Sequence, residues 1–359
     1  VRPHVLSIAT KDSLARFIAW REEIGTASAS TSGEDFADVA PKRWRSDGPP
    51  VIRLQAERLS DLLRFNRVEG LFMGLGVGAR LRDAAPGLTV RLLGGYARSE
   101  GTFRGRVSAE LEHGGWLYAA RAGRSLDVTN DFPVPLDSGS SIGALFGVDD
   151  YDYVDRYGAG VSAVRMLARR RALARLELGW ADDRAVSAHL TRGPLGRSTF
   201  FANRGVSAGN YLRSALTVQW HPDVSAEFMR PGAGAQISYL RGDGELNFQR
   251  LELRLNARRN AGRWTFASRL DAGAVFGTVP PQQLFELGNE QNLPGYGYKE
   301  FAGNQAVVLR GIAMYRLNVL MAPLQLSRRL WLPAPSPALS VSLQSGWTGA
   351  SGPAARDAL

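Results

Sequence analysis

The chain has 359 residues, a formal net charge of +10 and no cysteine, which excludes disulfide scaffolds, thiolate metal sites and cysteine nucleophiles. A mean hydropathy of −0.17, with no apolar run long enough for a membrane helix, excludes a helical membrane protein. Of the 44 basic residues only Lys11, Lys42 and Lys299 are lysines, and the arginines are spread out rather than gathered into the basic block that nucleic-acid binding favours.

Residues 1–50 read as a pre-barrel or plug-like segment. Leu14, Phe17 and Ile18 give 12–23 helical spacing, and 25–35 is a Gly/Ser/Thr/Ala-rich linker. Residues 51–58 suit one further strand. No charged-then-apolar secretory signal is visible, and the Gly/Pro-rich end at Arg356–Leu359 is unlike a barrel terminus. The expectation is a mature excerpt or fragment lacking its final strands.

From residue 71 onward, apolar and polar residues alternate. The segments are 71–82, 88–98, 102–112, 116–123, 158–167, 171–181, 209–220, 233–241, 246–258, 262–276, 305–319 and 338–348. In 246–258, Leu251, Leu253 and Leu255 oppose Arg250, Glu252 and Arg254; in 262–276, Trp264, Phe266 and Leu270 oppose Arg269 and Asp271. In 171–181, Leu176, Leu178 and Trp180 oppose Arg175 and Glu177. Side chains flip at every strand residue, so each segment has one greasy and one ionic face. Around a closed sheet, that pattern sets grease against lipid and charge in a wet lumen. Trp116, Tyr118, Trp180, Trp220, Trp264, Phe276, Tyr315 and Trp347 share the apolar phase, as headgroup-level aromatics do.

The reading is an all-β, transmembrane antiparallel up-and-down β-barrel over 51–359, with about 12–13 strands present of about 16 when complete. Arg175, Glu177, Arg250, Glu252, Arg254, Arg269, Asp271, Arg310 and Arg316 are expected to line its lumen. A soluble two-sheet protein would instead bury Leu251, Leu253 and Trp264 between its sheets. The arginine excess fits lumen ladders with acids, loop contacts to anionic lipid phosphates, or arginine-rich codon usage.

Connections supply a second pattern. Counting strands from 71–82, the long links 124–157, 184–208 and 277–304 leave even strands, and 83–87, 168–170 and 259–261, leaving odd ones, are short. A medium link, 222–232, is the one odd exception. Short periplasmic turns and long outer loops require this parity.

Three loops were weighed as sites. Asp149, Asp150, Asp152 and Asp155 offer the oxygens a calcium ion wants but lack the spacing of a recognised loop, which favours a solvated or lumen-docked segment. The loop 184–208, with Arg192, Arg197, Phe200, Phe201 and Arg204, suits lipopolysaccharide phosphates or is an ordinary surface loop. His189, near Ser187, Thr191 and Ser198, is the one candidate base for a hydrolase. No nucleophile elbow, zinc motif or phosphate loop is present, and no metal or cofactor is expected.

Phe285-Glu286-Leu287-Gly288-Asn289, then Leu293-Pro294-Gly295-Tyr296-Gly297-Tyr298, lead through Phe301-Ala302-Gly303-Asn304 into a strand carrying Tyr315-Arg316. This resembles the sixth outer loop of the BamA/TamA-type barrel superfamily, which includes two-partner-secretion transporters. The resemblance implies a loop folded back into the lumen, with Leu293, Gly295, Tyr296 and Gly297 at its tip, on a bacterial outer-membrane barrel that assembles or translocates proteins or lipids. Its partners would be outer-membrane lipid, lipopolysaccharide and periplasmic or cargo polypeptides. Pro294 stands where the family carries the arginine that pairs with an acidic barrel residue. Phe65-Asn66-Arg67-Val68-Glu69-Gly70-Leu71, Asp131-Phe132, Leu145-Phe146-Gly147 and Asp150-Tyr151-Asp152-Tyr153 also resemble outer-membrane barrel proteins with an upstream carboxypeptidase-regulatory-like domain. A passive or gated anion-preferring pore is the competing expectation, and a hydrolase the third.

Overall fold

The computed structural model describes residues 52–56, 58–81, 85–129, 141–149, 151–167, 171–225, 230–288, 293–297, 299–317, 319, 324–325, 331–332 and 337–349. The expected pre-barrel segment 1–50, the Asp131-Phe132 pair, Asp150, Tyr298 and the chain end all lie outside these.

The first strands are β1 (Ile52–Leu54), β2 (Leu63–Asn66), β3 (Gly70–Leu81), β4 (Leu88–Ala97), β5 (Thr102–His113) and β6 (Trp116–Thr129). There follow β7 (Asp152–Leu167), β8 (Ala172–Arg184), β9 (Gly209–Trp220), β10 (Gly232–Gly244), β11 (Phe248–Ala261) and β12 (Trp264–Gly277). Last come β13 (Phe285–Leu287), β14 (Phe301–Gly303), β15 (Gln305–Arg316), β16 (Leu324–Gln325), β17 (Trp331–Leu332) and β18 (Ala338–Gly349). A 14-stranded sheet runs β1-β3-β4-β5-β6-β7-β8-β9-β10-β11-β12-β15-β18, with β2 also on β3, while β13–β14 and β16–β17 form small sheets of their own. Every pair is antiparallel, for example Leu255↔Leu270 between β11 and β12. Each wall strand neighbours the next in sequence: the fold is a transmembrane antiparallel up-and-down β-barrel. Among the described residues no pairing joins β18 to β1 or β2.

Burial is inverted relative to a soluble protein. Leu251, Leu255, Trp264, Phe266, Leu343 and Val341 are exposed, while Arg104, Arg269, Asp271 and Asp183 are buried. The sheet therefore turns its apolar phase outward, where only hydrocarbon can satisfy so continuous a greasy face.

Aromatics mark the two edges of that face. At the turn side, Trp116 stacks beside Tyr118 at 5.9 Å, and Trp264 meets Tyr315 at 4.9 Å across β12–β15. At the loop side lie the Tyr96–Phe103 pair at 4.8 Å and the exposed Trp180, Phe276 and Trp347. From Trp264 to Phe276 the strand climbs about 40 Å at about 3.4 Å per residue, or about 30 Å along the membrane normal at a tilt of about 40°. That matches the thickness of a bilayer's hydrocarbon core.

Turn chemistry is local. Gly114 and Gly115, with φ of 58° and 79°, make the two-residue β5–β6 hairpin. Both angles lie in the region that the strand-matching turn of this type demands.

Three details depart from the sequence reading. The expected strand at 51–58 is interrupted: β1 pairs with β3 at Val77–Ala79, the chain leaves the edge, and pairing resumes with β2 at Gly70–Met73. The excursion includes a turn of helix, α1 (Leu59–Leu62), and lies against glycines of β3, where a Cβ at Gly74 or Gly76 would overlap the Asp61 or Gln55 carbonyl. Strands β6 and β7 reach well past 123 and start well before 158, so Asp152 and Asp155 sit in a strand and not in a solvated loop. Finally, the link 317–337 leaves an odd strand yet is long and contains β16–β17, which breaks the parity at one connection.

Candidate functional site

The segment 278–304 leaves the rim and folds back onto the inner wall. Thr278 N–H donates to the Asn247 carbonyl at 3.0 Å, and a 3₁₀ turn follows at Pro281–Gln283. Gln282 then ties the segment to the loop after β8, accepting from Ser207 N–H at 3.0 Å and donating to the Ser207 carbonyl at 2.8 Å. The hairpin β13–β14 comes next, with Phe285, Glu286 and Leu287 all essentially fully buried.

Glycine makes the seat. Gly273 on β12 lacks a side chain where a Cβ would overlap the Phe285 ring, and at Gly346 on β18 one would crowd Leu287 and Leu293 at 3.1 and 2.7 Å. Arg250 closes the seat from the other side, its guanidinium 4.1 Å over the Phe285 ring and donating to the Gln283 carbonyl at 2.6 Å. Phe285, Leu287 and Leu293 join Tyr211, Phe248, Val275 and Val308 in one apolar cluster on the wall. Substituting Gly273 by Leu should therefore evict Phe285 and expose 285–303 to proteolysis while leaving the strands in place. Unchanged cleavage would contradict this packing.

Of the expected tip, Leu293 is buried, whereas Gly295, Tyr296 and Gly297 are exposed, with Tyr296 edge-on to Phe301 at 5.2 Å. The packed part of the loop is thus Phe285–Leu287 with Leu293. Its charged contact comes from Lys299, which is buried and held at φ +48°. The Lys299 ammonium meets Asp152 on β7 and Glu286 of its own hairpin, the latter at 2.8 Å. Arg204, from the loop after β8, also meets Glu286. A cation from this loop thus reaches a barrel acid although Pro294 occupies the tip.

Asp152 also receives the turn that opens β3. Arg67 is fully buried; its guanidinium lies 3.1 Å from Asp149 and 3.4 Å from Asp152, and donates to the Asp149 carbonyl at 2.6 Å. The Arg67 carbonyl accepts from His189 and Leu190 N–H at 2.9 and 3.0 Å. Asn203 bridges onward, accepting from Tyr153 N–H and donating to the Tyr153 and Val186 carbonyls, each at 2.8 Å. Beside it Glu69 takes Arg64 at 2.6 Å and Arg104 at 3.2 Å, while Asp155 takes Arg104 and, at 2.6 Å, Arg124. Such charges, costly to strip of water, persist because each finds opposite charge and donors. Three of the carboxylates read as calcium candidates, Asp149, Asp152 and Asp155, therefore face Arg67, Lys299, Arg104 and Arg124. His189, the candidate base, places Nδ1 3.0 Å from the Val68 carbonyl, which fastens its loop to the β2–β3 turn.

Lower in the lumen the expected residues form two clusters. Glu177 faces Arg213, Arg121 and Arg175 at 2.6, 3.1 and 3.7 Å. Asp271 faces Arg269, Arg254 and Arg310 at 2.7, 2.9 and 3.7 Å. Arg250 and Glu252 pair at 2.6 Å, and Arg316 is exposed at the end of β15. Sequence reasoning missed Arg67, Asn203 and Glu286 as contact residues, and Arg204, read toward lipopolysaccharide phosphates, instead meets Glu286 with its side chain buried. Lys299, a lone lysine among barrel arginines, carried the one compositional hint.

No protein-family model and no curated protein matches the chain. Among solved structures it is similar to BamA from Haemophilus ducreyi lacking POTRA domains 1–3, with a TM-score of 0.51 and 13% identity over 80% of this chain and 57% of that one. It also aligns with CdiB from Acinetobacter baumannii (TM-score 0.38, 11% identity, 80% of this chain and 48% of that one). OccK11 (OpdR) from Pseudomonas aeruginosa aligns at a TM-score of 0.31 with 11% identity, over 84% of this chain and 75% of that one. The chain spans little more than half the length of the BamA structure. The likeness is one of fold.

Proposed function

We propose that the protein is a bacterial outer-membrane barrel of the protein-assembly or translocation type whose lumen is closed by the folded-in 278–304 loop. The observation that carries this reading is the β13–β14 hairpin, seated on Gly273 and Gly346 and pinned by Lys299 to Asp152. A loop merely capping a pore has no need of a tailored seat on the inner wall. The fold shared with BamA from Haemophilus ducreyi and the resemblance around Phe285–Asn304 support it. Lipid and lipopolysaccharide would surround the wall, with the exposed Arg192 and Arg197 toward headgroup phosphates, and cargo polypeptides would be the transient partners.

A second reading, an anion-preferring pore, is favoured by the three guanidiniums facing each of Glu177 and Asp271. One experiment separates the two. In planar bilayers, deleting 281–300 should raise single-channel conductance several-fold; the unlatching variant Lys299→Ala, which retains the whole hairpin, should add flickering openings to a mostly closed baseline. Wild-type conductance that is already open, anion-selective and indifferent to both changes would reject the closed-lumen reading and leave the pore.

A further inference from the structure

The lumen wall between β5 and β9 has a feature that neither assembly nor conduction requires. Along β6, β7 and β8 the inward positions Gly123, Gly158, Gly160 and Gly179 lie side by side, Gly123 opposite Gly158 and Gly160 opposite Gly179. The strands approach so closely here that a Cβ at Gly160 or Gly179 would meet a neighbouring carbonyl at 2.8 or 2.5 Å, so no side chain can cover the floor. Around this bare patch stand Arg106, opposite Gly123; Arg121, opposite Gly160; and Arg213, opposite Gly179. Arg156 rises beside them, held by Asp183 at 2.6 Å and Asp127 at 2.9 Å. The result is a cavity of about 330 Å³ lined by these groups, within the size range of small-molecule sites.

Charge does not balance in the depression. Arg121 and Arg213 share a single carboxylate, Glu177, which Arg175 also approaches. The Arg121 side chain remains 62% exposed, so its fork can turn onto a ligand. Planar guanidiniums converging on an open floor match the geometry of a tetrahedral oxyanion, which accepts paired N–H bonds from each.

We propose that this glycine-floored, arginine-rimmed depression binds an oxyanionic group, a phosphate or sulfate, borne by a free ion, a phosphorylated solute or a lipid headgroup. The site needs only a wet lumen and holds whether the barrel assembles proteins or conducts.

Calorimetric titration of the refolded full chain in zwitterionic micelles at low chloride tests it, with inorganic phosphate in one arm and dihexanoyl phosphatidic acid in the other. Saturable binding should weaken at least tenfold in R121Q/R213Q and several-fold in R121K/R213K, which keeps the charge but loses the forks. R258Q, on the lumen phase of β11 away from the depression, should bind as wild type. Heat-dependent gel mobility verifies that each variant is folded. Binding in the phosphate arm assigns the site to free oxyanions, and binding in the lipid arm alone assigns it to a headgroup. No saturable binding in either arm, equal binding by R121Q/R213Q, or equal weakening in R258Q would each overturn the site.

Discussion

Replacing Arg67 by Ala is expected to destabilise the folded barrel by about 3–5 kcal/mol, the usual penalty for removing one partner of a buried charge pair. Arg67 is fully buried and serves Asp149, Asp152 and Asn203 at once, so truncation leaves Asp149 without its guanidinium and Asp152 with the Lys299 ammonium and the Arg204 N–H. Lysine at this position should recover only part of the loss, because one ammonium cannot reach the Asp149 carbonyl, its carboxylate and Asn203 together. The urea midpoint of protein refolded into vesicles, followed by tryptophan fluorescence, gives the comparison. A loss below about 1 kcal/mol for Arg67→Ala, the level of an exposed pair, would mean that the network is solvated.

The second large effect separates the two faces of the wall. Leu255, opposite Leu270 near mid-strand, lies on the exposed apolar phase. Arginine there should cost about 2–4 kcal/mol in a bilayer, the midplane penalty for a lipid-facing charge. Thr217→Arg, on the inward phase of β9, should cost under about 1 kcal/mol because the lumen holds water. Measured side by side in vesicles, the pair should differ severalfold. Equal costs would mean that Leu255 does not face hydrocarbon.

Most of the wall was legible because strand alternation is a local property: Leu251 to Arg254 declare both faces within four residues. The lumen pairing of Glu177 and Asp271 followed from the same phase, since an inward acid on a wall rich in inward arginines meets them. The interruption of the first strand was not legible, because the chain at Arg58–Leu62 departs to lie against Gly74, a demand made by the neighbouring strand. The outer charge network was hidden for a related reason. Its members, from Arg67 through Asp149 to Lys299, are distant in sequence, and their order along the chain carries no trace of who meets whom. The stretch Asn66–Gly70 stood out only as a resemblance; its chemistry emerged when the fold brought Arg67 to Asp149 and Asp152. The aromatic at 296 drew attention as a tip, whereas Phe285, in a less conspicuous run, fills the glycine seat.

The Lys299–Asp152 contact joins positions separated by 147 residues. Contacts of such span form only once the intervening chain has been gathered, since closing long loops must precede any reward from them. The meeting of Arg67, Asp152 and Lys299 is therefore expected to act as a late checkpoint in maturation: early hairpins can pair while their acids stay hydrated, and water should leave the rim only when the β13–β14 hairpin delivers its ammonium. Insertion should thus proceed through a loosely lidded intermediate, tightening in a final step whose rate responds to substitutions at these three residues far more than to any along the hairpins below.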